Sequence, residues 1–384
     1  MTIAPGEWLG VLGGGQLGRM FCMQAQTLGY RVCVLDPSED SPAGAVADRH
    51  LRAGYLDADG LEQLATLCRG VTTEFENVPA RSLELLAGRC LVSPDAASVS
   101  VAQDRIEEKR FIAAGGADVA PHRAIVDPAD LEAIEPGLLP GILKTARLGY
   151  DGKGQVAVDS VEEARAAWDR LHRVPCVLER RLALERELSV VVCRGRDGAC
   201  ETFPVVENVH RDGILAVSVA PARVSPALAQ QARETAIRVA GALRYVGVLC
   251  VEMFELTTGG LLVNEIAPRP HNSGHFTIDA CVANQFEQQA RVLAGLPLGD
   301  PTQLAPAVML NLLGDLWFGA GGEPRPPRFA EVAGVRRACL HLYGKQQARR
   351  GRKMGHVTVL GDSLDDALAR AGRVAEILGL ERPR

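Results

Sequence analysis

Apolar positions in the first hundred residues switch between short continuous runs and helical spacing. Trp8-Leu9-Gly10-Val11-Leu12 is strand-like; Leu17, Met20, Phe21 and Leu28 then recur on one helical face, with Gly29 placed to stop the helix. Arg31-Val32-Cys33-Val34-Leu35-Asp36 is the next strand, and the alternation runs on to Leu91-Val92-Ser93-Pro94. A mostly parallel, three-layer, Rossmann-like domain over residues 1–98 is predicted. Beyond it the pattern mixes. Asp104 to Ala114 and Val161 to Leu171 are helical, while Gly141 to Thr145, Val156-Ala157-Val158 and Cys176 to Glu179 are short strands. Strands from Glu187 to Val192, Glu201 to Val206 and Leu215 to Val219 precede a helix from Ala227 to Leu243. From Leu304 a small β-rich domain is expected, ending in a helix that Ser363 can cap and Gly379 can stop. The fold class is α/β with α+β: regions 1–98, 99–303 (with a lid subdomain at about 122–182) and 304–384.

Two apolar runs carry the most telling polar residues. Val248 to Phe254 contains Glu252, Leu261 to Ile266 contains Glu265, and Thr257-Thr258-Gly259-Gly260 between them reads as a hairpin turn. Pairing Leu256 with Leu261 sets Glu252 opposite Glu265 and puts Asn264 on the other face. Facing side chains lie about 5 Å apart, where like charges repel. A divalent cation removes that penalty, and Mg²⁺ takes carboxylate oxygens together with nucleotide phosphates. A solvated charged face, or a register slipped by one residue, is the bland alternative.

Composition narrows the setting. A net charge of −5 with no basic run argues against nucleic-acid partners. Ten cysteines without any Cys-x-x-Cys spacing suggest neither zinc nor a disulfide framework. The first residues lack an export signal, and no stretch is long and apolar enough to span a bilayer, so a cytoplasmic protein is expected.

Gly13-x-Gly15-x-x-Gly18 follows a strand and opens a helix, and Asp36 ends the next strand, the context of a phosphate- and ribose-binding turn. It supports a phosphate or sugar ligand without specifying a dinucleotide; a nicotinamide-dependent dehydrogenase is one reading, a ligand-free tight turn another. Gly149-Tyr150-Asp151-Gly152-Lys153-Gly154-Gln155 lies between two short strands and can fold over a triphosphate, with Lys144 ending the strand beside it. A mobile surface hairpin is its plain alternative. Glu179 to Leu182 and Glu187 are candidates for the adenine edge and the ribose.

The order of glycine turn, Lys144, glycine-rich loop, Glu179 segment, Glu252 and Asn264-Glu265 resembles the ATP-grasp superfamily. Thr73 to Pro79, Glu265 to His275 and Gly351 to His356 further resemble the 5-(carboxyamino)imidazole ribonucleotide synthase family over essentially the whole chain. Arg349-Arg350 departs from an expected Arg-Pro step and leaves that loop's conformation open. The resemblance implies ATP-dependent carboxylation of 5-aminoimidazole ribonucleotide by bicarbonate, with Mg²⁺, without biotin, in purine biosynthesis, by a homodimer.

Carried over by position, the resemblance assigns ATP to Arg105, Lys144, Gly149 to Gln155, Glu179, Arg180, Arg181, Leu182, Glu187, His210, Asn264 and Glu265, and the metal to Glu252 and Glu265. Arg269 is suited to bicarbonate, its planar fork pairing with two oxygens. His271 is the expected base toward the attacking amine, Asp151 its rival, and Lys353 a further catalytic candidate. The ribonucleotide is assigned to Gly15, Gln16, Leu17, Asp36, Glu76, Lys345, Arg352 and Lys353. Rivals are another ATP-grasp ligase, acting on biotin or glycinamide ribonucleotide, and a non-catalytic nucleotide sensor.

Overall fold

The computed structural model describes residues 2–149, 152–319 and 321–383. Its N-terminal region is a five-stranded sheet in the order Arg49–Leu51, Arg31–Leu35, Trp8–Leu12, Gly70–Thr73, Leu91–Val92. Every pairing in it is parallel. Leu9 and Val11 turn one way, onto Leu17 and Phe21 of helix Gln16–Thr27; Leu12 and Leu35 turn the other, onto Leu64 and Leu83. Phe286, Ala290 and Leu293 of helix Gln285–Ala294 complete the first cluster, so this region shares its core with the next.

The second sheet has nine strands. Its main path runs Leu261–Ala267, Gly247–Leu256, Leu184–Arg194, Val206–Arg211, Ile214–Ala220, Ala307–Leu313, Lys353–Leu360, Ala338–Leu342, with Cys200–Thr202 also paired to Leu184–Arg194. Val190, Val192, Leu249 and Val251 bury one face against Ala236, Val239 and Ala240 of helix Pro226–Ala242. The other face packs Val191, Cys193 and Cys250 on Phe276 and Ala280. Residues after Leu304, expected as a small C-terminal domain, extend this sheet: Ala307–Leu313 pairs antiparallel with Ile214–Ala220. Helix Leu364–Leu378 covers the extension; Ser363 accepts from the Asp366 N–H and Gly379 adopts a left-handed φ of 72°. Local patterning could not reveal that Ile214–Ala220 offers a free edge.

A four-stranded antiparallel sheet, ordered His122–Ile125, Cys176–Arg180, Gly141–Thr145, Gln155–Val158, forms the expected lid, packed by Ile125, Leu143, Leu178 and Trp168. The glycine-rich loop joins Gly141–Thr145 to Gln155–Val158. Tyr150 and Asp151 lie outside the described residues.

The glutamate hairpin forms by a different route. Its turn pairs Glu255, not Leu256, with Leu261, and the register then shifts between Met253↔Val263 and Glu252↔Glu265. Asn264 is the extra residue of this β-bulge, which re-aims side chains next to it. Glu252 and Glu265 still face each other, but Asn264 is not turned away as a regular hairpin predicted; it lines the same cleft.

Candidate active site

Lid, central sheet and both end regions enclose a cleft of about 990 Å³. At its centre each acidic group has a basic partner. Arg105 Nη1 lies 2.5 Å from Glu265 Oε2, and His271 Nε2 lies 3.1 Å from Glu252 Oε1. Arg269 Nε donates to Glu76 at 2.5 Å and its Nη1 to the Pro270 carbonyl at 3.1 Å, which fixes the guanidinium plane beside the cleft. Burial opposes ionisation of Glu265, but Arg105 more than offsets this and holds the carboxyl down at about 2. Burial likewise opposes ionisation of Glu76, and Arg269 outweighs it to lower the pKa. For His271, burial opposes charge, while Cys250 and the Glu252 carboxylate raise the pKa, the latter a pull that a cation on Glu252 would cancel.

The charge balance goes deeper on helix Arg105–Ala114, which Asp104 caps through the Ile106 and Glu107 N–H groups. Lys109 is fully buried, its Nζ 3.2 Å from both the Asn264 carbonyl and Glu179 Oε1. Lys144 Nζ reaches the other Glu179 oxygen at 3.0 Å. Burial pulls the Lys144 pKa down; it also opposes ionisation of Glu179, where Lys144 and Lys109 prevail and lower the pKa. Glu108 accepts the Ile266 N–H at 2.7 Å, and burial pushes its carboxyl up to about 8. Lys109 and Glu108 had no assigned site role from sequence, though Arg105, Glu108 and Lys109 stand at the i, i+3, i+4 spacing of one helical face.

Gln16, Leu17, Lys144, Gly149, Gly152, Lys153, Gln155, Glu187, His210, Lys345, Arg352 and Lys353 all line the cleft. His210 Nδ1 is 2.7 Å from Glu187 Oε2; burial works against charge on the ring and Glu187 outweighs it, raising the pKa. Lys345 Nζ donates to the Lys353 carbonyl at 2.7 Å, binding the basic segment to its strand.

Four expectations need correction. Gly15 cannot offer its N–H to a substrate: it donates to Glu74 Oε1 at 2.9 Å, and the Gly18 N–H donates to Oε2 at 3.0 Å. Glu74 therefore fills the anion place of the glycine turn, and a Cβ on Gly15 would come within 2.5 Å of it. A nicotinamide pyrophosphate has no room there, which removes the dehydrogenase reading. Asp36 is buried behind this turn, accepting from the Ser38 N–H at 2.8 Å and the Tyr55 hydroxyl at 2.5 Å, and is not part of the cleft wall. Glu179, on lid strand Cys176–Arg180, gives its carboxylate to two lysines, which leaves only backbone groups of this segment for an adenine edge. The Arg180 and Arg181 N–H groups donate to the Pro121 and Pro140 carbonyls, so within Glu179 to Leu182 those two donors are already used. Gly154 (φ 73°) shapes the loop's return against Thr145 and does not line the cleft.

The donor set fits Mg²⁺. Glu252 and Glu265 face each other across the hairpin, and the buried Asn264 Oδ1 beside them has no hydrogen-bond partner. An orphaned amide oxygen next to two carboxylates is an all-oxygen set of the kind a hard cation takes.

Three family models match in series: a ribonucleotide synthetase preATP-grasp domain at residues 7–103, an ATP-grasp domain at 110–286, and a phosphoribosylaminoimidazole carboxylase C-terminal domain at 307–370. The N5-carboxyaminoimidazole ribonucleotide synthase of Brucella melitensis is 46% identical over 360 residues, 93% of this chain and 97% of that protein. This chain belongs to that family of ATP-grasp ligases. The Bacillus subtilis member is 40% identical over 365 residues, 95% of this chain and 94% of the relative. An Aspergillus clavatus synthase solved with ADP and 5-aminoimidazole ribonucleotide superposes with a TM-score of 0.88 at 33% identity, covering 98% of this chain and 99% of that one. The Thermus thermophilus synthetase gives 0.89 at 39% identity, with coverage of 98% and 100%.

Family motif residues at and behind the cleft wall pack together. His275 and His356 are buried in a ring stack, 4.8 Å apart, with His341 4.5 Å beyond and the Tyr343 hydroxyl 2.9 Å from His356 Nδ1. They tie strand Lys353–Leu360, and with it the basic segment, to the loop carrying Arg269 and His271.

Proposed function

We propose that the chain joins bicarbonate to the exocyclic amine of 5-aminoimidazole ribonucleotide, using ATP and releasing ADP and phosphate. The observation that carries this reading is one cleft that brings Glu252, Asn264 and Glu265 together with Arg269, His271 and the Lys345 to Lys353 segment. ATP lies between lid and central sheet, its ribose toward Glu187 and His210 and its phosphates toward Lys144, Lys153 and Arg105. Glu252, Glu265 and Asn264 hold Mg²⁺, which when bound neutralises the phosphate oxygens.

A bicarbonate oxygen attacks the γ-phosphorus, the bond to the β-phosphate oxygen breaks, and ADP leaves, giving carboxyphosphate. Such transfer depends on positioning and charge neutralisation. Arg269 holds the bicarbonate, and the lid excludes water from the mixed anhydride. The amine then attacks the carboxyl carbon, the carbon–oxygen bond to phosphate breaks, and the amine proton is lost to a base, with Asp151 and His271 as the candidates. The nucleotide's own phosphate lies toward Gln16, Leu17, Lys345, Arg352 and Lys353, its imidazole near Glu76.

All ten cysteines are free, and no described helix is long and apolar enough to cross a membrane. Family resemblance supports a homodimer acting in the cytoplasm; light scattering checks the assembly. The reaction is checked by phosphate release with Mg-ATP and bicarbonate. Strong stimulation by 5-aminoimidazole ribonucleotide is expected; equal release without it would move the acceptor to another molecule.

A further inference from the structure

Behind His271 lies a file of polar side chains in an otherwise apolar interior. Sheet register puts them on one face: Ser189 stands opposite Glu252, and Asn208 opposite both Glu187 and Ser218. Ser218 Oγ is 2.8 Å from Asn208 Oδ1, Asn208 Nδ2 2.9 Å from Ser189 Oγ, Ser189 Oγ 2.8 Å from Ser273 Oγ, and Ser273 Oγ 2.9 Å from His271 Nδ1. All four side chains are buried, at most 5% exposed. Val191 and Cys193, further along the same face of strand Leu184–Arg194, are apolar. A buried polar file is costly unless satisfied, and this one leads to a single reactive group.

Building on the function above, we propose that Ser273, Ser189, Asn208 and Ser218 are positioning residues that fix His271 as a hydrogen-bond donor to the anion in the cleft. Hydroxyl rotors and the Asn208 amide can each be turned round, so those four bonds alone fit either direction. A backbone N–H cannot turn. The Ser273 N–H points at His271 Nδ1 from 3.3 Å, which makes Nδ1 an acceptor. Every other bond then follows: Ser273 donates to Nδ1, Ser189 to Ser273, Asn208 to Ser189, and Ser218 to Asn208. The ring proton sits on Nε2, the nitrogen beside Glu252. A protonated Nε2 donates to a bicarbonate or carboxyphosphate oxygen and does not accept the amine proton, which leaves that task to another group.

The test is a long-range ¹H–¹⁵N spectrum of the full chain carrying ¹⁵N-histidine, with His271→Gln used to assign the signal. The proposal expects an unprotonated Nδ1 and a protonated Nε2 in the unaltered protein; the reverse pattern overturns it. Ser189→Ala should scramble that signature and lower kcat by about 10-fold at unchanged KM for ATP, and Ser189→Thr, which restores a hydroxyl, should recover most of it. A merely structural file would lower the melting temperature in Ser189→Ala yet leave kcat and the histidine signature alone, and that result also overturns the proposal. If Ser189→Ala fails to fold, Ser218→Ala probes the far end, and the spectrum of the unaltered chain still decides. Absence of ribonucleotide-stimulated turnover would sink the assigned reaction while the spectrum judged the wiring separately.

Discussion

Two glycine-rich turns in this chain carry the same sequence chemistry and do opposite things. At Gly13 to Gly18 the Gly15 and Gly18 N–H groups are held by Glu74 of the chain itself, and only Gln16 and Leu17 of the turn line the cleft. At Gly149 to Gln155 the described residues other than Gly154 face the cleft, and Gly152, at φ 75°, lies against the Asp212-Gly213 turn across it. Glycines report that a backbone must approach something closely. They do not report whether that something is a ligand or a carboxylate already in the fold.

Substitutions can break or sharpen this contrast. The largest effect is expected beside the open turn: Lys144→Met removes a phosphate-facing cation and should lower kcat by about 100-fold or more in the phosphate-release assay. It also strips one partner from Glu179, so circular dichroism must confirm folding. Glu252→Gln should cost a similar factor and weaken the dependence of rate on Mg²⁺ concentration. At the closed turn, Glu74→Ala should act on stability first, lowering it by about 1–3 kcal/mol because the Gly15 and Gly18 N–H groups lose their acceptor. Thermal unfolding measures that loss, and a fall in ATP affinity at unchanged stability would reverse the contrast. Gly152→Ala strains a left-handed position in the open loop; a several-fold rise in KM for ATP with little change in melting temperature is expected.

The smallest effect concerns pH. Glu108 is raised to about 8 in the folded chain, from an ordinary value near 4.5. Its contribution is full below about 4.5 and is lost as pH climbs through 8, because the unfolded chain ionises first. Glu108→Gln keeps an acceptor for the Ile266 N–H without the titration. The variant should gain in melting temperature relative to the natural chain between pH 5 and pH 9, and a constant difference across that range would contradict the assignment.

Much of the site was legible because its chemistry is local. The facing pair Glu252 and Glu265 followed from a hairpin count, although the count was right only because a bulge at Asn264 cancelled a one-residue error in the turn. That bulge also explains why Asn264 was misplaced: backbone irregularity leaves no mark in an apolar–polar pattern. The roles of the Glu74 and Glu179 carboxylates went unread for another reason. Both stand in motifs that point to ligands, and only three-dimensional packing shows that their carboxylates serve Gly15, Gly18, Lys109 and Lys144. The continuation of the central sheet through Ala307–Leu313 was equally invisible, since strand partners far apart in sequence are not encoded by either strand alone.

The central claim is that bicarbonate, and not water, receives the γ-phosphoryl group. Turnover with Mg-ATP, 5-aminoimidazole ribonucleotide and ¹⁸O-labelled bicarbonate tests it directly. Mass spectrometry of the released phosphate should find one oxygen derived from bicarbonate, left behind when the carbon–oxygen bond of carboxyphosphate breaks. Phosphate carrying no bicarbonate oxygen would contradict the account.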